Sequence, residues 1–153
     1  MSPRDRYDSL FQYYAGDRMG WRALKAQAIA ESNLDPRAVS PAGAAGLMQF
    51  MLPTWIEWHG RLYHGEAIEV RTNPERSIEL GAAYMVWLAA GLGRDWRLAR
   101  AAYNWGIGNV KKHAEVAAGG RLVLPDAKLP PETRAYLARI DRLHQELTEE
   151  VTT

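Results

Sequence analysis

The chain has 153 residues, a formal net charge of +1 and scattered Lys and Arg, a balance that gives no steering toward nucleic acid or a membrane surface. It has no cysteine, which excludes a disulfide-stapled mini-fold and a thiolate metal site. A chain of this length forms one domain, 1–153, and buries roughly 68–70% of its unfolded surface without staples.

Helical periods dominate from the start. Residues 7–15 read as a short helix. Residues 20–32 form a second, with Trp21, Leu24, Ala28 and Glu31 on one stripe, ended by Asn33 and the Asp35-Pro36 turn. Residues 33–46 are a loop rich in turn residues, including Ser40-Pro41, Gly43 and Gly46. Pro53 opens a short helix through Trp58, closed near Gly60, and a polar connector follows.

Asn73-Pro74-Glu75 has the pattern of an N-cap, a first-position proline and an acidic first turn. It starts a helix with Ile78, Ala82, Met85 and Ala89 on one face, ending at Gly91 or Gly93. Asp95 caps the next helix, with Trp96, Ala99 and Tyr103 together and Gly106 as the stop. Residues 107–117 read as helical, and Gly119-Gly120 as a loop. Pro130-Pro131-Glu132 starts a last helix with Tyr136, Ile140, Leu143 and Leu147 on its buried stripe. No stretch alternates with period two; Val70 and residues 122–124 are isolated extended pieces at most. The fold class expected is mostly α, in a single domain.

The apolar run 81–92 is far shorter than the roughly 20 residues that span a bilayer. The N-terminal residues lack an apolar signal core. A soluble protein with no membrane insertion and no secretory signal is expected. Six Trp and seven Tyr stand against two Phe. Such rings have a flat apolar face and a polar tip, which suits core filling for most and carbohydrate stacking for others.

Glu31 is the most informative carboxylate. It falls at the end of an apolar stripe, where burial and the negative end of the helix dipole both disfavour its charge. Both raise its pKa, as a general acid near neutral pH requires. Taken singly, a glutamate there is more often a solvated helix end, Ser40 a turn residue, and Met48, Tyr103 and Tyr136 core residues. Polar groups clustered at helix ends beside loops are, however, how a helical scaffold builds a concave site.

Ala30-Glu31-Ser32, Ser40, Gly46-Leu47-Met48-Gln49, Ala102-Tyr103-Asn104-Trp105-Gly106 and Glu132-Thr133-Arg134-Ala135-Tyr136 occur in that order. The series resembles the signature motifs of the soluble lytic transglycosylases, glycoside hydrolase family 23, which share the goose-type lysozyme fold. The resemblance implies a lysozyme-like helical domain with a cleft. It also implies cleavage of the β-1,4 bond between N-acetylmuramic acid and N-acetylglucosamine in peptidoglycan, with a 1,6-anhydromuramoyl product.

In that scheme Glu31 is the acid/base. Ser40 and Gln49 contact the sugar, Met48 lines the cleft, and Tyr103 and Asn104 belong to the catalytic centre. Tyr136 lies near the carboxylate and Glu132 faces the stem peptide. The partner expected is the peptidoglycan glycan strand, with the protein acting as a monomer. His59, His64, His113 and His144 show no paired ligand spacing, so no metal and no cofactor is expected.

Hydrolysis needs a second carboxylate about 6.5–9.5 Å from the acid for inversion or about 5–5.5 Å for retention. Asp35 sits just past the helix in a proline turn and Glu57 lies on a different helix, and neither matches a catalytic position of the family that the chain resembles, which favours ring closure by the substrate's own hydroxyl. A hydrolytic muramidase and a non-catalytic wall-binding module of a virion remain as alternatives. The extent of the chain resembles a phage endolysin, held in the host cytoplasm until release to the periplasm. A periplasmic bacterial enzyme whose signal has been removed is the other setting.

Overall fold

A computed structural model describes residues 2–64 and 69–151. Seven α-helices carry the chain among the described residues: α1 (Asp8–Ala15), α2 (Trp21–Ser32), α3 (Leu52–Tyr63), α4 (Pro74–Gly91), α5 (Trp96–Trp105), α6 (Ile107–His113) and α7 (Pro131–Glu149). The mostly α class expected from periodicity is the class adopted.

The expected caps form. The Asn73 side chain accepts from the Arg76 N–H at 2.9 Å, and Asp95 accepts from the Leu98 N–H at 3.0 Å. Each satisfies a backbone donor that a helix start leaves unpaired. Gly106, at φ +96°, ends α5 and lets α6 start immediately in a new direction.

Helix α2 is the axis of the fold, and its burial differs from the single stripe expected. Every residue from Ala23 to Ile29 is buried. Ala26 and Ile29 enter one core with Met85, Leu88, Leu98 and the α7 residues Tyr136, Leu137 and Ile140. Leu24 and Ala28 enter a second core with Phe11, Leu47, Met48, Trp55 and Ile78. A helix buried on every side is a central helix rather than a surface one, and the one buried cation of α2, Lys25, is paired with Asp8 at 2.7 Å. Trp21, expected on the buried stripe, is only half-buried. Tyr84 and Tyr103 pack against both cores and so lie at their seam.

Three local boundaries differ from expectation. Helix α3 runs on to Tyr63, because its apolar face extends through Trp55, Trp58 and His59. Helix α6 stops at His113 rather than near Ala117. The chain then pairs β1 (Glu115–Val116) with β2 (Leu122–Val123) in an antiparallel ladder. The pairing closes over Gly119 and Gly120, both at positive φ, so a two-residue strand needs no alternating pattern to form. Val70 joins no strand.

Candidate active site

Glu31 lies in the last turn of α2. The helix ends on Asn33, which adopts the left-handed conformation (φ +53°) and donates its N–H to the Ile29 carbonyl at 2.8 Å. Burial pushes the Glu31 carboxyl up to about 8, and the charge of Glu132 on α7 adds to the shift. Tyr103 and Tyr136 are the phenols around it. Both hydroxyls are raised well above the usual tyrosine value, first by burial and next by the Glu31 charge. They therefore stay protonated and can act only as neutral donors or acceptors. A half-dry carboxyl with two phenols and one acidic neighbour is built to hold its proton at neutral pH.

Behind this centre two polar side chains are left over. Among the described residues the buried Gln27 Oε1 makes no hydrogen bond, Gln27 Nε2 contacts the Met85 sulfur at 3.4 Å, and the Gln27 amide faces the buried Tyr136 hydroxyl, whose own proton has no acceptor. Gln27 sits one turn before Glu31 on α2. The unused proton of a hydroxyl that feels the Glu31 charge is available to whichever oxygen carries negative charge.

The loop 38–50 packs beside this centre, and long-range hydrogen bonds fix it. Ser32 Oγ donates to the Leu47 carbonyl at 2.8 Å, and Ser77 Oγ accepts the Met48 N–H at 3.1 Å. Tyr103 Oη donates to the Met48 carbonyl at 2.6 Å. The Arg71 guanidinium donates to the carbonyls of Gly43 and Phe50, both at 2.9 Å. These bonds tie the loop to α2, which carries Glu31, to α4 and α5, and to the connector at Arg71. Tyr103→Phe leaves that carbonyl buried and unpaired, so a loss of about 1–3 kcal/mol in urea unfolding is expected. Ser77→Ala, which orphans the Met48 N–H, should cost a similar amount in the same measurement.

The expected site residues separate into three groups. Glu31 is the common member of one group: its charge acts on Tyr103 and Tyr136, and the charge of Glu132 acts on it. Asn104 is joined to it through α7: Thr133 Oγ1, from a buried side chain next to Glu132, donates to Asn104 Oδ1 at 2.8 Å. The amide group that Asn104 has left to offer a ligand is its Nδ2 donor. Ser40 and Gln49 stand in the loop wall, half-buried. Ser40 Oγ accepts the Ala44 N–H at 3.0 Å, and Gln49 Nε2 donates to the carbonyls of Ala38 and Gly46.

Met48 is the exception. Its side chain is fully buried against Gly81 and belongs to the second core, so its contribution at the wall is the backbone. Sequence reasoning assigned no role to Ser32, Thr133, Ser77, Arg71 or Gln27. The two flanking Glu31 and Glu132 sit inside the motifs, whereas Ser77, Arg71 and Gln27 have no local signal, because their partners are distant in sequence.

His59 and His113 have their partners elsewhere. His59 is buried beside Trp55 and Tyr63, with Arg76 Nη1 2.8 Å from its Nε2. His113 Nδ1 lies 2.8 Å from the Asn109 carbonyl. Among the described residues no group of three His, Cys, Asp or Glu is placed to hold a metal ion.

The profile of the Transglycosylase SLT domain matches residues 9–119, which takes in Glu31, the loop wall, Tyr103 and Asn104. The chain belongs to this family. Among curated relatives, the membrane-bound lytic murein transglycosylase F of Shewanella woodyi is 39% identical over 119 residues, 73% of this chain and 23% of that protein. Its counterpart in Alteromonas mediterranea is 36% identical over 113 residues, 69% of this chain and 22% of the relative. The chain thus spans less than a quarter of the length of these two relatives.

Among solved structures, the 70 kDa soluble lytic transglycosylase of Escherichia coli superposes with a TM-score of 0.77 at 27% identity, over 94% of this chain and 25% of that one. An inactive mutant of the lytic transglycosylase Slt of Pseudomonas aeruginosa gives a TM-score of 0.82 at 24% identity, over 97% and 25%. The SLT domain fold, lysozyme-like and helical, is therefore the fold of this chain. Among the described residues no helix is long and apolar enough to cross a membrane.

Proposed function

We propose that this SLT domain cleaves the β-1,4 bond between N-acetylmuramic acid and N-acetylglucosamine in peptidoglycan, leaving a 1,6-anhydromuramoyl end. The observation that carries the reading is Glu31, a carboxyl that burial and Glu132 push up to about 8 inside a cluster of phenols. The family membership and the relatives, named as lytic murein transglycosylases, support the same chemistry.

The steps balance without water. Glu31 gives its proton to the glycosidic oxygen, and the bond from that oxygen to muramoyl C1 breaks. The resulting carboxylate takes the proton of the muramoyl C6 hydroxyl as O6 bonds to C1, which restores protonated Glu31. The Tyr136 hydroxyl is available to donate to the carboxylate between the two transfers. Asn104 Nδ2 offers a donor to the acetamido carbonyl. Ser40 and Gln49 hold the sugar from the loop wall through what their turns leave unused.

One observation favours a second reading. Glu132 is an acidic neighbour of Glu31 that the sequence did not bring forward as a partner, and hydrolysis needs such a base. Glu132→Gln separates the two. Intramolecular closure needs no second carboxylate, so solubilisation of purified murein should fall by less than about tenfold. A general base supplies about 10²–10⁴-fold, so a loss of that size would favour a muramidase.

The working form of Glu31 is protonated, so activity should hold at neutral pH and decline as pH rises through about 8. A pH-rate profile of muropeptide release checks this; a decline centred near 5 would mean an ordinary solvated carboxyl. The named relatives are membrane-bound proteins of bacteria, which favours a wall-turnover setting over the endolysin one. Glu31-dependent clearing of a Gram-negative culture on co-expression with a holin-type pore would reverse that order.

A further inference from the structure

Helices α3 and α4 bring an aromatic cluster to the surface beside the site. Tyr84 and Trp87 are three residues apart on α4, and Trp58 and Arg61 three apart on α3, so each pair shares a helix face. The two faces meet. Ring centroids lie 5.3 Å apart for Trp58 and Tyr84, and 5.8 Å for Trp58 and Trp87 at an interplanar angle of 69°. Tyr84 and Trp87 are 6.2 Å apart at 29°, close to parallel. The Arg61 guanidinium lies 4.8 Å from the Trp58 ring and 5.4 Å from the Trp87 ring, and Glu57 accepts from it at 2.8 Å.

The cluster is continuous with the active site. Tyr84 is 5.4 Å from Tyr103, the phenol that feels the Glu31 charge. A row of rings therefore runs Tyr103, Tyr84, Trp87, from the catalytic carboxyl outward. Tyr103 and Tyr84 are half-buried and Trp87, at the outer end, is 40% exposed, while Trp58 behind them is 5% exposed.

We propose that Trp87, backed by Tyr84 and flanked by Arg61 and Glu57, is a distal subsite for the glycan strand, holding a pyranose ring away from the bond that is cut. The proposal rests on the glycan-cleaving reading above and deepens it. A pyranose of the β-1,4-linked N-acetylglucosamine type presents a patch of C–H groups on its face and hydroxyls around its edge. The exposed indole matches the face, and the Arg61–Glu57 pair supplies donors and acceptors for the edge. A lone exposed tryptophan needs no explanation. Here the indole is held by three neighbours, so little freedom is lost when a ring stacks on it.

The probes are β-1,4-linked N-acetylglucosamine oligomers of two to six units, titrated calorimetrically into the full chain carrying Glu31→Gln. Affinity should rise with oligomer length. Adding Trp87→Ala should remove that rise, weakening the hexamer about tenfold and leaving the dimer unchanged, and Trp87→Phe should restore most of it. In the active chain Trp87→Ala should raise KM on long glycan strands and leave kcat unchanged.

Length-dependent binding that survives Trp87→Ala overturns the proposal. So do equal losses for dimer and hexamer, or no binding of any oligomer. Failure of the catalytic reading has a separate signature: no cleavage of murein by the unaltered chain, whatever the binding shows.

Discussion

Replacing Glu31 with glutamine is expected to lower murein cleavage by about 10²–10⁴-fold while making the protein more stable. The two effects share one cause. Burial and Glu132 raise the folded carboxyl from its ordinary value of 4.5 to about 8. An unfolded chain releases that proton near 4.5, and the folded one retains it until about 8. The stability linked to the protonated carboxyl is thus fully present below 4.5 and is lost as pH rises to about 8.

Glutamine has the shape of the protonated acid and does not titrate. The variant should match the parent at pH 4 and exceed it by about 3 kcal/mol at pH 7, at about 1.4 kcal/mol per pH unit. Thermal unfolding at the two pH values reads this as a gap of several degrees that opens with pH. Loss of activity without the widening gap would mean that Glu31 reacts without being held in its protonated state.

Among the described glycines, Gly46→Ala is expected to be the most damaging added methyl. Gly46 has φ +85°, where a side chain is strained, and an added Cβ would lie 1.9 Å from the Arg71 carbonyl oxygen. That carbonyl cannot yield cheaply. The Arg71 side chain grips the carbonyls of Gly43 and Phe50, and the Gly46 N–H donates to the Ala38 carbonyl at 2.9 Å.

Relief of the clash has to open the loop wall that carries Ser40 and Gln49. A loss above about 4 kcal/mol, or a folded protein with a collapsed site and little activity, is expected from urea unfolding and murein digestion. Gly60→Ala in α3 is the control. Its Cβ meets nothing within 4 Å, so a gain of roughly 0.5–1 kcal/mol from helix propensity is expected.

Helix positions were legible in the sequence because Asn73, Asp95 and Gly106 punctuate it with residues that have few other local uses. The depth of α2 was not. Ala23, Ala26 and Ala28 look neutral in a pattern, and only the arrival of two separate cores makes every side of the helix an inside. Met48 shows the same limit. Its motif position marks the wall of the site, yet its side chain fills the space left by the missing Cβ of Gly81.

The acidic centre was half legible. Glu31 could be singled out by its helix end, whereas its coupling to Glu132 arises from the packing of α2 on α7 across a hundred residues of chain. The hydrogen bonds of Ser32, Ser77 and Thr133 were invisible for the same reason. A serine or threonine carries no mark of a partner on another element.

Cleavage by Glu31 through the substrate's own C6 hydroxyl takes no oxygen from solvent. Digestion of purified murein in ¹⁸O-labelled water, followed by mass spectrometry of the muropeptides, tests it directly. The expected products are lighter by one water than reducing ends, carry no ¹⁸O, and are formed by the unaltered chain and lost in Glu31→Gln. Reducing ends carrying one ¹⁸O would contradict it and make the protein a muramidase.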